Sequence, residues 1–113
     1  MDLNGKTFRA IANSSHGTLN TETRMTFAEE GEDVTAVYGG GTIRRGFVVA
    51  RRTAANHLEM LYHCITTAGE LKAGRALATF AEDSTGGKMH LDWQWLTGDG
   101  AAGTSDWVVE TGT

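Results

Sequence analysis

Lys88-Met89-His90-Leu91-Asp92-Trp93-Gln94-Trp95-Leu96 alternates apolar and polar residues along its length. Met89, Leu91, Trp93 and Trp95 therefore share one face of an extended strand, and His90, Asp92 and Gln94 the other. A period of two sustained over this length is the mark of a half-buried β-strand, here with both indoles turned inward. Working outward, similar stretches cover 7–13, 21–28, 34–38, 42–53, 57–67, 71–80 and 104–110. They are cut by turn clusters such as Glu29-Glu30-Gly31-Glu32-Asp33, Gly39-Gly40-Gly41, Asp83-Ser84-Thr85-Gly86-Gly87 and Gly98-Asp99-Gly100. A further polar turn is expected at Asn13-Ser14-Ser15-His16-Gly17. Short connections between strand-like segments make an antiparallel meander. About eight such strands can curl until their edges meet, so the expected fold is all-β, a single up-and-down barrel spanning residues 1–113 as one domain.

Several faces can be assigned from parity. Thr21, Thr23, Met25 and Phe27 are expected inside, as are Val34, Ala36 and Tyr38, and Leu58, Met60, Tyr62 and Cys64. Leu61, His63 and Ile65 then point outward. The segment 42–53 is ambiguous, because Ile43, Arg45, Phe47 and Val49 compete with Val48 and Ala50 for the interior, and Gly46 suggests a bulge that switches the faces. Residues 65–81 contain good helix formers, but Gly69 and Gly74 would each cost a helix about 1 kcal/mol, so strand is expected there too.

The totals narrow the function. Ten basic against 14 acidic residues give a net charge of −4, which provides no field for a phosphate backbone or an anionic membrane. No stretch approaches the roughly 18 apolar residues of a membrane helix. The first residues, Met1-Asp2-Leu3-Asn4-Gly5-Lys6, lack the basic-then-apolar pattern of a leader, so a cytoplasmic location is expected. Cys64 is the only cysteine and the four histidines show neither HxH nor HExxH spacing, so no disulfide within the chain, no metal and no cofactor are expected.

The ordered motifs Tyr38-Gly39-Gly40-Gly41-Thr42-Ile43-Arg44-Arg45-Gly46, Met60-Leu61-Tyr62-His63 and Trp93-Gln94-Trp95 with Gly98-Asp99 resemble a family of small bacterial proteins. Its members are usually left uncharacterised or labelled N-acetylglutamate synthase. The common acetyl-CoA enzymes hold the pyrophosphate on a glycine loop that opens a helix. Here Gly39-Gly40-Gly41 and Gly98-Asp99-Gly100 lead into strand-like residues, so acetyl transfer is not expected. By size and strand count the chain is also similar to the lipocalin and streptavidin barrels, a likeness of architecture and not of site.

The leading functional expectation is a barrel that binds a small, partly apolar or aromatic molecule. Trp93, Trp95, Tyr62, Tyr38 and Phe27 are the candidate wall, and Arg45 the candidate clamp for a carboxylate. Small inward residues, Thr21, Thr23, Ala36 and Ala76, leave room for it, although the aromatic side chains are also of a size to fill the barrel themselves. Gln94 and Asn13 are further polar candidates for the interior. Two other readings remain open: a cyclase or isomerase with Tyr62 or His63 moving a proton, and a homodimer paired through exposed sheet faces bearing Val37, Leu61 and Ile65.

Overall fold

The computed structural model describes residues 1–13, 21–84 and 86–110. Eight strands follow one another: β1 (Thr7–Asn13), β2 (Arg24–Glu30), β3 (Asp33–Gly40), β4 (Ile43–Ala54), β5 (His57–Thr66), β6 (Leu71–Asp83), β7 (Gly86–Trp95) and β8 (Ala102–Val109). Each pairs antiparallel with the next, and β8 pairs with β1 through Phe8↔Val109, Arg9↔Val108 and Ala10↔Trp107, which closes the barrel. Closure removes the sheet edges that an open meander would expose. The 71–80 stretch is strand, and extends to Asp83. β2 begins at Arg24, later than expected, because Thr21 and Glu22 belong to the turn before it and Thr21 is exposed. Part of the expected Asn13-to-Gly17 turn, and Thr85 of the β6–β7 loop, lie outside the described residues.

Parity predicted most faces. On β7 Met89, Leu91, Trp93 and Trp95 are buried, and on β5 so are Leu58, Met60 and Cys64. The ambiguity on β4 is resolved by a register shift between Ile43 and Arg45, slightly ahead of Gly46. Ile43 faces inward before it, and Gly46, Val48 and Ala50 face inward after it. Phe47 and Val49 consequently lie outside, at 43% and 58% exposure.

The two ends of the barrel differ. At one, Phe8, Phe27 and Phe80 meet edge to face, with ring centroids 5.7, 5.8 and 6.0 Å apart. Leu3, Leu58, Met89 and Val34 pack with them, all essentially without exposure. The N-terminal segment lies across this end: Gly5 N–H donates to Phe27 O and Phe27 N–H to Lys6 O, each at 2.9 Å. Arg52 fixes it by pairing with Glu29 and donating to Met1 O. Nearby, Trp107 donates its indole N–H to Ser105 Oγ at 2.9 Å, so this buried indole is satisfied. Between the ends, Ala10, Ala36, Ala50, Ala76 and Ala78 occupy inward positions.

Candidate functional site

The opposite half of the barrel holds Tyr38, Tyr62, Cys64, Trp93 and Trp95 on its inner face. Their rings form a chain: Tyr38 to Tyr62 at 6.4 Å, Tyr62 to Trp95 at 5.5 Å, Trp95 to Trp93 at 6.0 Å. Two glycines make this arrangement possible. Tyr38 stands opposite Gly46 on β4, and Tyr62 opposite Gly74 on β6. Each ring lies flat over the glycine it faces, in space that a Cβ would fill. A tyrosine lying along the wall covers it without crossing the bore.

Polarity in this half is one-sided. Trp93 Nε1 and Trp95 Nε1 are buried and have no hydrogen-bond partner, and buried Tyr38 Oη has only the weakly accepting Cys64 thiol beside it. Leaving one such group unpaired costs about 1–3 kcal/mol, so together they are a substantial burden in a small domain. All three can donate. Burial, and secondarily the neighbouring Cys64, push the Tyr38 phenol well above its ordinary value, and burial does the same for Tyr62. Both phenols therefore stay protonated and neutral at physiological pH. Burial also raises the Cys64 thiol, which disfavours the reactive thiolate.

Trp93, Trp95, Tyr62 and Tyr38 are thus brought together. Phe27 is inward but belongs to the packed phenylalanine cluster at the other end. Arg45 is exposed on the outer face, because the β4 register shift reverses the parity on which an inward position depended. Gln94 also lies outside and accepts from Arg75 at 3.0 Å, while Asn13 ends β1 opposite Ser105 and its side chain lies outside what the structure describes. Tyr62 and His63 occupy opposite faces of β5, and His63 rests against Phe47 outside, so the two cannot share a proton path within the lumen. His90 is external as well. Its Nδ1 lies 2.6 Å from Asp106 Oδ1, and that contact raises its pKa. Among the described residues no group of three or more His, Cys, Asp or Glu is placed to hold a metal, and no helix is long and apolar enough to cross a membrane.

Sequence reasoning missed Lys72. It alternates inward with Gly74, Ala76 and Ala78, and its ammonium stands 4.2 Å from the centroid of the Trp95 ring. The parity of β6 was the available signal.

A closed eight-stranded meander with phenylalanines at one end and indoles and phenols at the other is an architecture consistent with small-molecule binding. A family model described as avidin-like protein matches residues 1–110, and the chain belongs to that family. No curated protein and no solved structure matches it. The streptavidin-like architecture expected from strand count agrees with this membership; the N-acetylglutamate synthase label has no counterpart in it.

Proposed function

We propose that the protein binds a small, partly aromatic molecule within the Tyr38–Tyr62–Trp95–Trp93 half of the barrel. The observation that carries this reading is the set of three buried donors without a strong acceptor. A ligand with hydrogen-bond acceptors would recover what their burial costs, and the flat aromatic faces would contact its apolar body. Tyr38 orients the ligand, in place of Arg45, and Phe27 contributes to the packing below it. Tyr62 and His63 lie on opposite faces of β5 and cannot act as one proton shuttle, so binding is favoured over turnover.

The test is native mass spectrometry of the purified protein followed by tryptophan fluorescence with a broad metabolite panel. The expected result is a co-purifying small molecule, or a titratable change in emission that Trp95→Phe greatly reduces. A protein that arrives empty and shows no response to the panel would overturn the reading.

A second reading rests on the outer face. Val37, Phe47, Val49 and Leu61 are all more than 40% exposed, and the pairings Val37↔Phe47 and Val49↔Leu61 make them neighbours across β3 to β5. An apolar stripe of this kind suits a self-associating face. In sedimentation the wild type is expected to be dimeric, and Val49→Lys with Leu61→Lys monomeric but folded. A monomeric wild type would exclude it.

A further inference from the structure

The inner face of the indole–phenol half carries apolar, indole, thiol and hydroxyl groups, and Lys72 is its single charged side chain among the described residues. Lys72 makes no ion pair among those residues. Glu70, on the turn before β6, is exposed and makes none with it either. The ammonium is held over the Trp95 face by cation–π attraction, a modest interaction at a partly exposed site that a true counter-ion would exceed. Cys64, directly opposite Lys72 in the ladder, is buried and its thiol raised, so it is not that counter-ion. The lumen therefore offers neutral donors, aromatic faces and one positive charge, with no inward carboxylate to receive a cation.

We propose that Lys72, standing over Trp95, anchors an anionic group of the ligand, so that the bound molecule is an aromatic carboxylate with hydrogen-bond acceptors along its body. Acceptors near the ring would meet the Trp93 and Trp95 N–H groups and the Tyr38 hydroxyl, while the carboxylate stays toward the rim, where residual hydration lowers the cost of desolvating it. The same charge disfavours amines. This inference rests on ligand binding in the lumen, and adds the sign of the ligand's charge and the residue that reads it.

Three probes differing in one group separate these claims: hippurate, its primary amide hippuramide, and N-(2-aminoethyl)benzamide. All share the benzoyl ring and amide carbonyl, and carry a negative, neutral or positive end. By calorimetric titration, hippurate should bind about tenfold more tightly than hippuramide, and the amine most weakly. In Lys72→Met the acid and the amide should bind equally; added salt should weaken hippurate selectively in the wild type. Lys72→Gln serves as a second variant, and thermal melting checks that both are folded. Equal affinities for acid and amide in the wild type, or a preference that survives removal of Lys72, would overturn the role of Lys72 while leaving lumen binding intact. Absence of binding by all three probes would overturn the assignment of an aromatic carboxylate, while lumen binding itself is decided separately by the co-purification and panel measurements above.

Discussion

Phe27→Ala should lower the unfolding free energy by about 3–5 kcal/mol, measured by urea denaturation followed by circular dichroism. Phe27 is 1% exposed and touches both Phe8 and Phe80 edge to face. Removing its ring leaves a void at the centre of three aromatic contacts. Its neighbours cannot readily collapse into that void, because the backbone there is tied to the N-terminal segment through Gly5 and Lys6. Domains of this kind are stable by only about 5–15 kcal/mol, so the loss is a large part of the whole. A cost below about 1 kcal/mol would mean that the phenylalanine cluster is not the packed end described above. Trp95→Phe, in the indole–phenol half, should cost considerably less stability than Phe27→Ala.

Gly46→Ala and Gly74→Ala should each destabilise the protein by about 1–3 kcal/mol and abolish ligand response in the lumen. The direction matters, because alanine ordinarily stabilises a strand relative to glycine by about 0.5–1 kcal/mol. Neither glycine has a positive φ, so backbone strain does not account for the expected loss. The cause is steric: the new methyl occupies the place of the Tyr38 or Tyr62 ring, which must lift from the wall and swing across the bore. Pairing Gly46→Ala with Tyr38→Ala should recover stability relative to the sum of the single changes, since the methyl then has nothing to displace. Additive effects would show that the ring and the glycine are not coupled.

Why was so much of the barrel legible, and so little of its depth? Side-chain facing follows from parity alone, which is why Trp93, Trp95, Tyr62 and Met60 could be turned inward from the sequence. Position along the barrel axis depends on strand tilt and stagger, which no single segment encodes. Phe27, Ala36, Val48, Tyr62, Gly74 and Trp95 lie on one row of paired residues around the barrel. Yet Phe27 packs with Phe8 and Phe80, whereas Tyr62 packs with Tyr38 and Trp95, because that row climbs from one end to the other. Phe27 thus looked like a partner of the tryptophans and is not. Arg45 failed for another reason: a bulge resets parity, and the glycine beside it pointed to the disturbance without fixing its place. The pairing of tyrosines with glycines was invisible, since it joins residues on different strands whose register is set by the whole ladder.

The inward alanines between the two ends carry one more consequence. Where a single methyl is all that projects from the wall, exchange for valine or leucine raises the floor by one or two carbons and leaves the phenylalanine plug below undisturbed. On the proposed binding, Ala36 and Ala76 would accordingly be dials for the length of molecule accepted, adjustable in small steps without rewriting the rest of the container.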